Sequence, residues 1–347
     1  MKLLVYADNH FCEKCSIING YGTQYTLRLE NQIASLNWVE NYAIDRGCDA
    51  IVCLGDFFDK SQLTDQELTA LRDIKWSNLP HYFIVGNHES DHNTLQYSST
   101  KALEISDKYS IISTPTEIKF DDVVLRFLPY IIESDRKQLT EYFEKKDSNN
   151  KTILFSHNDL RGIQMGPIMS RTGFNPDEFQ EVCDLCLNGH LHNGIKINDC
   201  IYNLGNLTGR DFGEDAVRYK HNVAFIDTNA LASMEFIENP VAFNFYKLDL
   251  FDARSLNILT ELKDNAVLSI RCDKSLLAQL REDIKNLGSK VVEFRLIATQ
   301  DSASISSGKT PDISSLTVDH HTKFAECCKE KLGVTPVLEA ELAEILK

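Results

Sequence analysis

KLLVYADNH, residues Lys2 to His10, is an apolar run of strand length that ends on an acid and a histidine. The pattern recurs along the chain. DAIVCL (49–54) leads into Gly55-Asp56-Phe57-Phe58-Asp59, and HYFIV (81–85) into Gly86-Asn87-His88-Glu89. TILF (152–155) leads into Ser156-His157, and DLCLN (184–188) into Gly189-His190-Leu191-His192. Short apolar runs bounded by glycine and polar residues read as buried strands. Between the first two runs, Tyr25 to Arg46 sets Leu27, Ile33, Leu36, Val39 and Ala43 at helical spacing, and Thr64 to Trp76 repeats the pattern after the second. Strand-helix alternation predicts an α/β layered fold.

Further on, the signals turn to β. EIKF and VVLRFLPYI flank Asp121-Asp122 as a hairpin-like pair, and GIKIN, CIYNL and NVAFI add strands to a second sheet. A two-sheet sandwich flanked by helices, over residues 1–243, would bury both sets. Within 244–300, AVLSIRC, SLLAQLREDIKNLG and KVVEFRLIA read as a small β-α-β unit, with Gly288 stopping its helix. Residues 301–315 are a Ser-rich linker. Over 316–347 two short helices carry apolar faces, Leu316, Phe324, Cys327, Cys328 and Leu332, then Val337, Leu338, Leu342, Ile345 and Leu346. Helices this short need a surface to pack against.

Bulk properties narrow the function. The 347 residues, 43% hydrophobic and 25% charged, suit a soluble globular chain of one large and one smaller domain. No run reaches membrane-spanning length, and Leu3 to Ala7 is too short for a signal-peptide core, so a cytoplasmic protein without membrane contact is expected. A formal net charge of -15 excludes a broad basic surface that grips nucleic acid by counterion release. Any DNA contact must be local, metal-assisted or shared with a partner. The ten cysteines read as reduced thiols; Cys12/Cys15 and Cys183/Cys186 have zinc-like spacing but are read as separate free thiols.

The loaded segments share one chemistry. On an extended backbone, residues two apart point the same way, so Asp8 with His10, and His190 with His192, can each aim at one ion. Asp56 stands at a strand's carboxyl end, Asn87 offers a neutral hard oxygen, and His157 closes a buried run. Each has a bland alternative alone: a surface carboxylate, a helix-capping or turn aspartate, a Gly-Asn turn, a hydrogen-bonded core histidine. Together they place four histidines, two aspartates and an asparagine at strand ends in one half of the chain.

The ordered series DxH, GDxxD, GNHE, a lone histidine and GHxH resembles the calcineurin-like metallophosphoesterases. The resemblance implies one ion held by Asp8, His10, Asp56 and His192. It implies a second held by Asp56, Asn87, His157 and His190, with Asp56 bridging. Mixed oxygen and imidazole donors suit manganese, with iron, zinc or magnesium as alternatives. Two such ions about 4 Å apart can activate a water and clamp a phosphate during in-line displacement. With only two anionic donors, the loaded site would be net positive. His88 matches the family's non-ligand catalytic histidine.

Within the family, GDxxD continues here as Lys60-Ser61, without the arginine that serine/threonine phosphatases carry next. Tyr202 to Thr208 with Phe212-Gly213-Glu214 is similar to the segment after GHxH in SbcD-type DNA-repair nucleases and their T-even phage counterpart, with Asn206 where serine is usual. That resemblance implies a DNA exonuclease and endonuclease subunit of repair, recombination or replication. It also implies a homodimer, a cap over 244–300, and a tail that docks on an SbcC-like coiled-coil ATPase. The alternatives are a phosphomonoesterase or cyclic-nucleotide phosphodiesterase with the same cage, or a non-catalytic adaptor of that ATPase. Because Asp56 is shared, Asp56→Asn is expected to weaken both metal sites, and unchanged content of two ions per chain by elemental analysis would refute the bridge.

Overall fold

The computed structural model describes residues 1–91, 94–165, 168–252 and 255–299. In β1 (Lys2–Tyr6), Leu3 and Val5 face one hydrophobic cluster while Leu4 and Tyr6 face another, so the strand is buried on both sides. The chain continues through α1 (Leu27–Asp45), β2 (Ala50–Cys53), α2 (Asp65–Leu71), β3 (His81–Ile84) and β4 (Tyr109–Ile112). β5 (Thr116–Lys119), β6 (Val123–Leu128), β7 (Lys151–Ser156), α3 (Phe179–Val182), β8 (Leu185–Asn188), β9 (Ile195–Lys196) and β10 (Ile201–Asn203) come next, before β11 (Asn222–Asp227) and β12 (Glu235–Glu238).

Two six-stranded sheets result, ordered β12-β11-β1-β2-β3-β4 and β9-β10-β8-β7-β6-β5. β1 to β4 run parallel, as do β6, β7, β8 and β10, while the strands flanking each parallel set pair antiparallel. Leu3, Val5, Val52, Leu54 and Ile84 meet Leu125, Phe127, Ile153, Phe155 and Leu187 between the sheets. On the outer face of the first sheet, Leu4, Tyr6, Ile51, Cys53 and Phe83 pack under Leu29, Leu36 and Val39 of α1 and Ala70 and Leu71 of α2. This is the α/β sandwich flanked by helices that the sequence predicts.

Some boundaries differ. The α2 pattern was expected to reach Trp76, but the helix stops at Leu71. Thr64 and Glu67 form a capping box at its start, and at its end the Trp76 indole donates to the Leu71 carbonyl at 3.3 Å. Ile74 is buried and Trp76 half-buried in the non-helical stretch that follows, so apolar spacing here marks packing without helix. β4 and β12 carried no signal that was read, being short and only half-buried.

Beyond the sandwich, β13 (Asn244–Leu250), β14 (Ala266–Asp273) and β15 (Val291–Thr299) form a parallel three-stranded sheet, with α4 (Leu277–Asn286) between the last two. Its cluster includes Tyr246, Leu248, Leu268, Ile270, Leu280 and Ile284. Gly288, at φ 58°, ends the helical run in a conformation that favours glycine. The linker and tail expected at 301–315 and 316–347 lie outside the described residues.

Phe83 is fully buried against the rings of Phe57, Trp76, His81 and Tyr109. Phe83→Ala is expected to cost about 3–5 kcal/mol of stability, read as a lower denaturation midpoint in urea.

Candidate metal centre

All the loaded segments follow the carboxyl ends of parallel strands, β1, β2 and β3 from one sheet and β7 and β8 from the other. The two sheets therefore deliver their polar residues to one common edge. The side chains do not aim by strand alternation, as the sequence reading supposed. β1 has ended by Asp8, and Asp8, His10, Asp56 and His190 take φ values of 48°, 47°, 47° and 76°. Left-handed backbone costs a non-glycine residue of order 1 kcal/mol or more. Among the other described non-glycine residues only Asn265 shares this conformation, so the strain gathers at the site.

Neighbouring backbone holds these turns. Asp8 N–H donates to the Gly55 carbonyl at 3.1 Å and His10 N–H to the Asp56 carbonyl at 2.9 Å. From α1, the Gln32 amide donates to the carbonyls of Asn9 and His10 at 2.8 and 2.5 Å. Gly55, at φ 107°, also leaves room for the His157 ring, and a Cβ at Gly86 would collide with Asp56.

Within this frame the seven sequence-derived donors come together. Asp8, His10 and His192 present ligand atoms within 4.8 Å of one another, as do Asp56, His157 and His190. Asn87 Oδ1 lies 3.2 Å from His157 Nε2 and 2.9 Å from His190 Nδ1. Asp56 Oδ2 lies 3.2 Å from His157 Nε2 and 3.9 Å from His10 Nε2, between the two groups. His10 and His192 meet through their Nε2 atoms at 2.9 Å. Imidazole edges and oxygens converging without hydrophobic filler fit divalent cations, with hard and borderline donors mixed.

Each imidazole's other nitrogen is oriented by an acceptor, an arrangement typical of metal ligands. His10 Nδ1 meets Asp59 Oδ1 at 3.0 Å, His157 Nδ1 the Leu54 carbonyl at 2.8 Å, His190 Nε2 Asp159 Oδ1 at 3.0 Å and His192 Nδ1 Glu214 Oε1 at 2.8 Å. The sequence reading assigned no role to Asp59, Asp159 or Glu214. Asp59 and Glu214 stood inside quoted motifs, and Asp159 is two residues past His157. Arg210 was missed as well: its Nη2 lies 2.9 Å from Asp59 Oδ1 and its Nη1 3.5 Å from His10 Nδ1.

Electrostatics follow burial. Desolvation pushes His10 down to about 4, leaving it neutral as a ligand must be. Burial works against the charge of Glu214, but the His192 ring outweighs it and holds the carboxyl down at about 2. Glu89 is pushed up to about 8 by burial and then by Asp56, while it accepts from Gly86 N–H at 2.7 Å and Phe58 N–H at 3.1 Å. His88 lies at the mouth, its side chain a third exposed, with its N–H on Asp56 Oδ1 at 3.0 Å. It too comes within ligand range of His10 and Asp56.

The model of the calcineurin-like phosphoesterase family matches residues 1–194. The chain belongs to this family. Among curated relatives of this calcineurin-like phosphoesterase, exonuclease subunit 1 of Enterobacteria phage T4 is 22% identical over 168 residues, 46% of this chain and 48% of the relative. The DNA double-strand break repair protein Mre11 of Sulfurisphaera tokodaii is 24% identical over 177 residues, 49% of this chain and 45% of the relative. The chain thus spans about half the length of the curated relatives it matches. A solved archaeal phosphodiesterase is similar at 11% identity and a TM-score of 0.36, covering 69% of this chain and 99% of that one.

The eight described cysteines are free, and Cys183 meets Cys200 at 3.6 Å without pairing to Cys186. No described helix is long and apolar enough to cross a membrane. Glu214→Gln should lower metal affinity about 10- to 100-fold by releasing the His192 ring, with the fold unchanged by circular dichroism. Full metal affinity in that variant would show that the carboxylate does not set the ring.

Proposed function

We propose that this chain is a two-metal phosphodiesterase that cleaves DNA, with Asp8, His10, Asp56, Asn87, His157, His190 and His192 as metal ligands and His88 as the catalytic histidine. The observation that carries the hydrolase reading is the convergence of those seven donors beside a partly exposed histidine at one sheet edge. Bound there, two divalent ions, manganese in this reading, would neutralise phosphate charge in the transition state.

The residues set out the rest of the chemistry. His88 Nδ1 lies 3.0 Å from the Asp59 backbone carbonyl. A carbonyl can only accept, so Nδ1 carries the hydrogen and Nε2 is the nitrogen left for the substrate. With a second proton on Nε2, His88 would give it to the leaving sugar oxygen as a water oxygen bonds to phosphorus and the ester P–O bond breaks.

DNA as substrate draws support from the printed identities of two relatives, an exonuclease subunit and a double-strand break repair protein. It also fits Lys60, which follows GDxxD where serine/threonine phosphatases carry an arginine and is drawn away to Glu67 at 2.9 Å. An acidic chain needs help to hold a polyanion. The homodimer and the coiled-coil ATPase partner are part of this proposal, resting on the SbcD-like sequence pattern, as is the role of residues 244–300 as a cap.

The test compares metal-loaded protein on linear DNA and on small phosphate esters. Nucleotide release from DNA is expected, and turnover of small monoesters with intact DNA would overturn the substrate assignment. In parallel, His88→Ala should slow DNA cleavage about 100- to 10,000-fold while metal content stays at the wild-type level. Cleavage at a near-normal rate would remove His88 from the chemistry.

A further inference from the structure

We propose that Arg210 is a substrate-binding residue of this site, holding a non-bridging phosphate oxygen at the mouth of the cage. The inference rests on the phosphoesterase reading and names the protein group that meets the phosphate.

Arg210 arrives from a segment remote in sequence from the GDxxD loop it contacts. Its guanidinium touches Asp59 Oδ1 at 2.9 Å and His10 Nδ1 at 3.5 Å. The Asp59 contact engages Nη2, while His10 Nδ1 turns its own hydrogen to Asp59 and is no acceptor for Nη1, so among the described residues the other N–H groups of the five-donor fork meet no acceptor. The side chain is 31% exposed, whereas His10 beside it is 1% exposed. Arg210 therefore stands where the buried cage opens to solvent, next to His88 at 33% and His192 at 24%.

The backbone beneath it is fixed. Arg210 N–H donates to Glu214 Oε2 at 2.6 Å, and the other oxygen of Glu214 orients His192. Gly209 N–H donates to the Phe243 carbonyl at 3.1 Å, while its own carbonyl accepts from buried Arg28. Phe212 closes the turn against Phe245. A guanidinium on a held turn loses little entropy on binding, and its planar fork matches two phosphate oxygens. At the opposite rim Arg136 approaches Asp159 at 3.7 Å but is only 6% exposed, so Arg210 is the accessible arginine of the pair.

Arg210 could instead serve only to hold Asp59, and hence His10, in place. Arg210→Gln and Arg210→Lys separate these roles, read by metal content and by calorimetric titration of metal-loaded protein with inorganic phosphate. Wild-type metal content with phosphate binding weakened about 10- to 100-fold in Arg210→Gln, and partly restored in Arg210→Lys, is the expected result. Loss of metal from Arg210→Gln, or phosphate affinity equal to wild type, overturns the proposal. Circular dichroism separates misfolding from either outcome, and if Arg210→Gln fails to fold, Arg210→Lys decides: intact metal with phosphate affinity equal to wild type counts against the fork. Should neither wild type nor variants cut DNA, loss of phosphate binding in Arg210→Gln would still support Arg210 while the DNA assignment fell.

Discussion

The carboxylate of Asp56 is the point on which four segments of the chain close. Its Oδ1 accepts the His88 backbone N–H, and its Oδ2 faces the buried rings of His157 and, more distantly, His10. A buried carboxylate costs several kcal/mol unless charge or hydrogen bonds compensate it. Here burial opposes its ionisation and the His157 ring beside it more than offsets that, holding its pKa well below the usual range. The strands from both sheets must therefore end in register at this edge.

Glu89 shows how the same constraint spreads outward. Fully buried, it accepts N–H groups from the Gly86 and Phe58 turns, tying the third segment to the second. With the negative charge of Asp56 nearby, one carboxylate is ionised at the expense of the other. The left-handed turns at Asp8, His10 and Asp56 persist for a related reason: parallel backbone contacts between residues 8–11 and 55–57 fix them from both sides.

Which residues meet was legible in the sequence; how they meet was not. Apolar runs ending on Asp8, Asp56, Asn87, His157 and His190 announced buried strands with polar donors at their ends. The reasoning from alternation at Asp8-Asn9-His10 pointed at the right pair for a reason the backbone does not obey, because the strand stops before the motif. Asp59, Asp159, Glu214 and Arg210 were invisible for a different cause. An aspartate in a turn or an arginine after a glycine has no local periodicity to mark it, and its meaning lies in contacts with residues far away in sequence, such as Arg210 with Asp59 or Glu214 with His192. The boundary error at Trp76 has the same origin, since the half-buried indole that the helical pattern had claimed packs on Phe57 and Phe83 from beyond the helix end.

Those unseen residues change the electrostatic balance of the site. Counting donors alone, two carboxylates against two divalent cations would leave a surplus of two positive charges. Asp59, Asp159 and Glu214 stand directly behind His10, His190 and His192, and their three charges would more than cancel a surplus of two. Carboxylates behind imidazoles raise ligand basicity, so the cage gains affinity for cations at the expense of its attraction for anions. Arg210 and Arg136 sit against two of these three carboxylates, at opposite rims. In a chain whose net charge is -15, this local pairing sets two cationic side chains against carboxylates that flank the donor cluster.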